Sequence, residues 1–201
     1  MNIVCFGDSI TYAKPAPEGD RWPTALHFDL NTWCPDHYPV FNRGIGGDTT
    51  AQGLERFPSE VMPLLPGMVL IEFGFNDANV RTWSRIPRVG LSEYRENLAE
   101  FARVLKENDS IPVFIINHTI TRGPKLQGNG RAYLENFKPY QTALREVAAT
   151  AGASIIDLPA IMREREVDLD RFLLDDGLHL SVYGNRLYAE MIGTRLKEIL
   201  A

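Results

Sequence analysis

The chain has 201 residues, of which 44% are hydrophobic and 23% charged, and its 26 acidic against 21 basic side chains give a formal net charge of -5. That length suits one α/β domain, read as residues 1–201, large enough to bury a core without disulfide or metal staples. The acidic balance excludes the basic stripe of a nucleic-acid surface, and no apolar run approaches the length of a membrane span.

Short apolar runs recur along the chain. The first, "NIVCF" (2–6), is too brief for the apolar region of a signal peptide and runs straight into Gly7-Asp8-Ser9, so a cytoplasmic location is expected. Cys5 lies in that run and reads as an inert buried thiol, and Cys34 sits in a Trp-Cys-Pro loop. These two cysteines show no metal-ligand spacing, and no metal or other cofactor is called for. Further strands are expected at "YPVF" (38–41), "MVLIEF" (68–73), "PVFIIN" (112–117) and "ASIID" (153–157). Continuous rather than alternating apolarity suits strands covered on both faces, as in a parallel sheet.

Between the later strands lie helical patterns. Residues 91–108 place Leu91, Tyr94, Leu98, Phe101 and Leu105 on one face. Residues 135–152 form a weaker helix ending at Gly152. From Ser181, a suitable N-cap, Tyr183, Leu187, Met191, Ile192 and Leu196 fall on a helical period. Alternation of strand and helix predicts an α/β fold, a three-layer α/β/α sandwich around a central five-stranded parallel sheet. "TRGPKLQGNGRAY" (121–133) is the one long polar, glycine-rich loop. Trp22, Trp33 and Trp83 read as core, and His27 and His37 as surface or helix-face residues.

In doubly wound folds ligands bind beyond the carboxyl ends of the strands. The residues just past each strand are therefore informative. Gly7-Asp8-Ser9 comes after the first, "NRGIGGDTT" (42–50) after the second, "GFNDA" (74–78) after the third, and Asn117-His118 at the end of the fourth, while "DDGLHLS" (175–181) precedes the last helix. Every chemically interesting cluster falls on one edge of the expected sheet.

Four blocks in this order, GDS, the glycine block, G-x-N-D and D-x-x-H, resemble the SGNH subfamily of GDSL esterases and lipases across nearly the whole chain. The resemblance implies the flavodoxin-like SGNH hydrolase fold and a serine-dependent hydrolase of carboxylic esters. It implies Ser9 as nucleophile, Asp176 and His179 as the rest of a triad, and Ser9, Gly47 and Asn76 as the oxyanion hole. The residue types suit these roles. A serine hydroxyl needs a base, His179 can supply it, and a carboxylate three residues earlier can fix its tautomer. Gly47 lets a backbone N–H approach closely, and the Asn76 amide is a neutral donor. The G-x-S-x-G elbow of the larger α/β-hydrolases is absent.

Alternatives stand beside these assignments. Alone, Ser9 reads as a turn residue or helix N-cap. Gly44 and Gly46 compete with Gly47 as simple turn residues, and Asp175 competes with Asp176, though D-x-x-H spacing selects the latter. Asp8 and Asp77 read as backbone-bonding turn residues. Arg43 and His118 are placed as substrate contacts, with a structural His118 bonded to a backbone carbonyl as the other reading.

The polar segments near the blocks, including Asn42, Arg43, Arg81 and the 121–133 loop, point to a short acyl group on a polar or carbohydrate alcohol. Long chains need an apolar trench, each methylene contributing only about 0.8 kcal/mol. An acyl-CoA thioesterase or lysophospholipase is the nearest alternative. A metal-dependent phosphoesterase lacks the D-x-H or H-x-H pairs it needs, and a non-catalytic flavodoxin-like phosphate binder lacks the P-loop ending. The expected partner is a small-molecule ester, with no nucleic acid and no membrane span.

Overall fold

The computed structural model describes residues 1–123 and 125–201; within the 121–133 loop, Pro124 lies outside the described residues. Five strands, β1 (Asn2–Gly7), β2 (Val40–Gly44), β3 (Gly67–Glu72), β4 (Ile111–Ile116) and β5 (Ser154–Asp157), form one sheet in the order β2-β1-β3-β4-β5. All four pairings are parallel. The chain leaves β1 for β2 at one edge and returns to β3 on the other side, so the topological switch point lies between β1 and β3.

The helices are α1 (Ser9–Tyr12), α2 (Trp22–Trp33), α3 (Thr50–Glu60), α4 (Leu91–Glu107), α5 (Tyr133–Ala151), α6 (Leu158–Glu164), α7 (Leu169–Phe172) and α8 (Val182–Leu200). α4 packs against α3 and α5, and α8 against α2 and α7, which gives one helical layer on each face of the sheet. Beyond the first residues of β1 and β4, Asn2 and Ile111, the side chains of β1, β3 and β4 lie between the layers with almost no exposure, which is why these strands read as apolar runs. On the α3–α4 side Phe6 meets Phe57, Phe73 and Phe101 edge-on. On the other, Trp22 packs on Tyr188 and donates its indole N–H to the Ile10 carbonyl at 2.8 Å.

Several expectations need amendment. α2 and α3 had no expected helix, because α2 mixes apolar and polar residues on most faces and α3 carries Pro58. The Thr49–Gln52 capping box that starts α3 was nevertheless a readable signal. Tyr94, Leu98, Phe101 and Leu105 are buried as expected, but Tyr183 is 42% exposed, with the Arg171 guanidinium over its ring. Trp22 is core; Trp33 and Trp83 are exposed, Trp83 at 78%. Ser181 caps α8, its Oγ accepting the Gly184 N–H at 2.9 Å, and Gly152 ends α5 at a φ of 57°. Cys5 and Cys34 are both unpaired. Among the described residues no helix is long and apolar enough to cross a membrane.

Candidate active site

β1 delivers Ser9 to the switch point. It runs so close to β3 that a Cβ on Gly7 would collide with the Glu72 carbonyl oxygen. Asp8 then caps α1, its Oδ1 accepting the Ile10 N–H at 2.9 Å, and Ser9 opens the helix. The Ser9 Oγ lies 3.0 Å from His179 Nε2.

His179 arrives on a tight loop before α8. Asp176 Oδ1 accepts the backbone N–H groups of Leu178 and His179, both at 2.9 Å, and Oδ2 stands 2.5 Å from His179 Nδ1. An ionised carboxylate only accepts, so Nδ1 carries the proton and Nε2 is left to accept from Ser9. Burial pushes the Asp176 carboxyl up, but the His179 ring and the two backbone donors outweigh it and hold the group below the usual carboxylate range. Asp175 is exposed and makes no bond to the ring. Ser9, His179 and Asp176 thus form one continuous hydrogen-bonded chain.

Donors face the same hollow. Gly47, at a φ of 85° that favours glycine, has its carbonyl held by the Arg88 guanidinium at 2.8 Å. Among the described residues the N–H groups of Ser9 and Gly47 have no protein acceptor. Asn76 donates one amide hydrogen to Asp8 Oδ2 at 2.9 Å, which leaves its second hydrogen for a ligand. Ser9, Gly47, Asn76 and His179 line one cavity of about 320 Å³ together with Phe75, Asn79, Arg122, Tyr133 and Leu178. A larger cavity of about 660 Å³ opens between α4 and α5 and is lined by none of the candidate site residues.

Two of the expected contacts fall elsewhere. Arg43 points from β2 toward the Glu60 carbonyl at 3.3 Å and does not line the cavity. His118 is buried against Phe75, Phe172 and Tyr188, with Nε2 2.8 Å from the Leu178 carbonyl. Burial pushes its pKa down to about 4, so a neutral ring donates to that carbonyl and braces the loop carrying His179. The structural alternative, rather than substrate contact, fits His118.

Below the hollow lies a feature that motif reading missed. Asp8, Glu72 and Asp77 are fully buried. Neutral donors hold all three. Asn76 and Ile10 bond Asp8; Thr11, at 3.0 Å, and Asn117 bond Glu72; the Thr50 hydroxyl and N–H bond Asp77 at 2.6 and 2.9 Å. Asn97 completes this set by donating to the Thr50 hydroxyl at 3.0 Å. Burial pushes Asp8 up to about 7 and Asp77 to about 6, with mutual repulsion adding to Asp8, and Glu72 lies well above the usual range for the same reasons. Among the described residues no three His, Cys, Asp or Glu side chains are arranged to hold a metal ion. Asp77 therefore ties the G-x-N-D segment to α3 across 27 positions, a longer tie than a local turn. Only Glu72, an acidic residue inside an otherwise apolar strand, hinted at this cluster in sequence.

Comparison with known proteins identifies the family. Residues 5–187 match the model of the GDSL-like lipase/acylhydrolase family. The chain is 31% identical over 206 residues to the isoamyl acetate-hydrolyzing esterase 1 homolog of Rattus norvegicus, covering 91% of this chain and 76% of that protein. It is 30% identical over 183 residues to the uncharacterized lipoprotein YqeF of Bacillus subtilis, covering 89% and 71%. The crystal structure of the lipase/acylhydrolase from Enterococcus faecalis superposes with a TM-score of 0.80 at 29% identity, over 98% of this chain and 95% of that one. The match across nearly the whole length shows that this chain belongs to the GDSL-like lipase/acylhydrolase family and is a carboxylic ester hydrolase.

Proposed function

We propose that residues 1–201 act as one catalytic domain that hydrolyses short-acyl, acetyl-type esters of a polar alcohol through an acyl-enzyme on Ser9. The observation that carries this reading is the hydrogen-bonded chain from Ser9 Oγ through His179 to Asp176. His179 Nε2 takes the Ser9 proton as Oγ attacks the ester carbon. The carbonyl oxygen gains the negative charge and receives hydrogen bonds from Ser9 N, Gly47 N and Asn76 Nδ2. As the tetrahedral intermediate collapses, the carbon–oxygen bond to the alcohol breaks and His179 hands its proton to the departing oxygen. Water then repeats the attack on acyl-Ser9, with His179 as base, and releases the acid. Throughout, ionised Asp176 holds the imidazole and stabilises its cationic form.

The short-acyl claim draws on the size of the hollow and on its walls, where Phe75 and Leu178 are the large aliphatic or phenyl side chains. It also draws on the rat relative, whose name assigns it an acetate ester. A thioester carbonyl passes through the same intermediate, so an acyl-CoA is the second substrate class to assay.

Ser9→Ala should lower kcat by about 10⁴-fold or more while leaving the circular dichroism spectrum unchanged, because a triad loses nearly all its advantage with its nucleophile. A serine-directed phosphonate should label the wild type at Ser9 alone. Residual turnover within tenfold of wild type would overturn the nucleophile assignment. On p-nitrophenyl esters the rate should peak between two and four carbons, and a peak at eight or more would refute the short-acyl reading.

A further inference from the structure

The catalytic hollow is not closed at its outer end. It shares Asn79, Arg122 and Tyr133 with a second cavity of about 310 Å³, whose remaining walls include Arg81, Trp83, Lys125 and Gln127. Residues 79–90, 118–123 and 125–134 build this rim. They contain Arg81, Arg85, Arg88, Arg122, Lys125 and Arg131 and not one Asp or Glu, in a chain whose acidic residues otherwise outnumber its basic ones. The first and last of these segments are joined to each other: Gln127 Oε1 accepts the Val80 N–H at 3.2 Å, and Gly128 N–H donates to the Val80 carbonyl at 3.2 Å.

A solvated basic face normally pairs its charges with neighbouring carboxylates, as Arg103 does with Glu100 and Glu107 on α4. Here, among the described residues, none of the six cations forms an ion pair. Arg85 and Arg88 are occupied by backbone carbonyls, of Gly128 and Gly47. The Arg81 guanidinium sits over the Trp83 ring at 5.3 Å. Burial, and then repulsion from Arg81, hold Arg88 below its ordinary pKa against the pull of Asp77, Asp48 and Asp8. Three cations, Arg81, Arg122 and Lys125, thus surround a cavity in which a bound anion would meet no negative side chain. Such a concentration of one sign in a recess focuses the field into it.

The side of the ester that enters is set by the proton's path. His179 gives its proton to the departing alcohol, so the alcohol lies on the imidazole side of the hollow. Arg122 belongs to that side, since its backbone N–H donates at 3.1 Å to the Gly177 carbonyl, in the loop that carries Asp176 and His179.

We propose that this second cavity is a leaving-group subsite for an alcohol carrying an anionic group of the phosphate class, held by Arg81, Arg122 and Lys125 with the exposed Trp83 ring beside them. The inference rests on the reading of Ser9 and His179 as nucleophile and base, and it narrows the polar alcohol of that reading to an anionic one. Arginine forks and a lysine ammonium match phosphate oxygens by charge-assisted hydrogen bonds.

The test compares two soluble esters with the same acyl group, 2-acetoxyethyl phosphate and its neutral counterpart 2-hydroxyethyl acetate. The phosphate ester should have a kcat/KM at least tenfold higher at low ionic strength, with the preference shrinking as salt rises. In an Arg81→Gln/Lys125→Gln double variant the ratio of the two kcat/KM values should fall at least tenfold, whereas Arg103→Gln should leave the ratio as it was. Independently of turnover, calorimetry on Ser9→Ala protein should detect 2-hydroxyethyl phosphate binding and no binding of ethylene glycol. Equal rates for the two esters with a normal rate on the neutral one would overturn the subsite and leave the catalytic reading intact. Loss of both rates with phosphate binding retained would strike at the catalytic reading alone. A preference for a charged acyl group, monomethyl succinate over methyl butyrate, would overturn the leaving-group assignment. So would cosedimentation with phosphatidylglycerol vesicles, and not with phosphatidylcholine, if it came without any preference between the soluble esters, because the cations would then serve a lipid surface.

Discussion

The floor of the catalytic hollow is acidic and its rim basic, and the two sets of side chains do not pair with one another among the described residues. Beneath Ser9, Asp8, Glu72 and Asp77 are buried, and no cationic side chain hydrogen-bonds to them among the described residues. Around the mouth, Arg81, Arg122 and Lys125 have no carboxylate partner among the described residues. Ion pairs between the two groups would be the cheaper arrangement if charge served stability alone, as it does on the exposed faces of α4 and α8. Their separation teaches that the two charge groups act differently. The floor carboxylates are acceptors that orient neutral donors, Asn76 and the α1 backbone, and so set the geometry in which charge develops. The rim cations are donors without partners, which set what enters.

Floor and triad substitutions should therefore lower kcat on every ester, whatever its charge. The largest effect after loss of Ser9 or His179 is expected for Asp176→Asn. With its oxygen still accepting the Leu178 and His179 N–H groups, the new amide would turn its NH2 toward Nδ1 and force the ring proton onto Nε2, where it blocks acceptance from Ser9, and kcat should fall by about 10³–10⁴-fold. The same exchange at Asp175 should cost less than threefold by the same assay, and the reverse order would identify Asp175 as the ring's partner. Next, Asn76→Ala removes one donor from the oxyanion site and should lower kcat by about 10²–10³-fold with little change in KM. A rise in KM at constant kcat would instead make Asn76 a ground-state binding residue.

Asp8→Asn probes the floor more finely. The new side chain can still accept the Ile10 N–H, but its amide would face the Asn76 amide donor to donor. Either Asn76 shifts, or it flips and presents oxygen where a hydrogen was available. In both cases the site loses a donor, and kcat should fall about 10–100-fold while the helical content stays the same. An unchanged kcat would reduce Asp8 to a helix cap.

The smallest effect concerns stability against pH. Folded Asp8 holds its proton up to about pH 7, whereas an unfolded aspartate releases it near ~4. Between those values the folded state binds more protons, so this contribution is present at low pH and is lost as pH rises through 7. Burial raises Asp8 most, and repulsion from Asp77 and Asp48 adds to it against the hydrogen bonds of Ile10 and Asn76; Asp8 in turn raises Glu72. Lowering pH from 8 to 6.5 should stabilise the fold by about 1 kcal/mol, or about 2–4 °C in Tm. His118 works oppositely and lower down. Its folded pKa of about 4 lies below that of an unfolded histidine, so its contribution is present above ~6.5 and is lost as pH falls toward 4. Asp8→Asn should flatten the upper limb and spare the lower one. A wild-type Tm that falls from pH 8 to 6.5 would refute the assignment.

Strand positions, the parallel sheet, and the gathering of Ser9, Gly47, Asn76, Asp176 and His179 at one edge of it could be read from the order of the motif blocks, while the roles proposed for these residues rest on the family resemblance. Apolar runs bury themselves on both faces of a sheet, and each motif block comes directly after a strand end or precedes a helix. Local rules reach no further than the chain neighbours they act on. The pairing of Asn76 with Asp8 across 68 residues, and of Thr50 with Asp77 across 27, depends on β1 and β3 lying side by side at the switch point. His118 was legible as a strand-end histidine, but whether it faced substrate or the Leu178 carbonyl depended on where a loop 60 residues later came to rest. Arg81 and Lys125 are ordinary surface cations in sequence. They surround one cavity only because hydrogen bonds at Val80 draw the 79–90 and 125–134 segments together at the mouth of the site. Short-range propensity and periodicity determined which elements form; long-range packing decided which polar groups meet, because burial leaves each of them only the partners that the tertiary fold brings within hydrogen-bond reach.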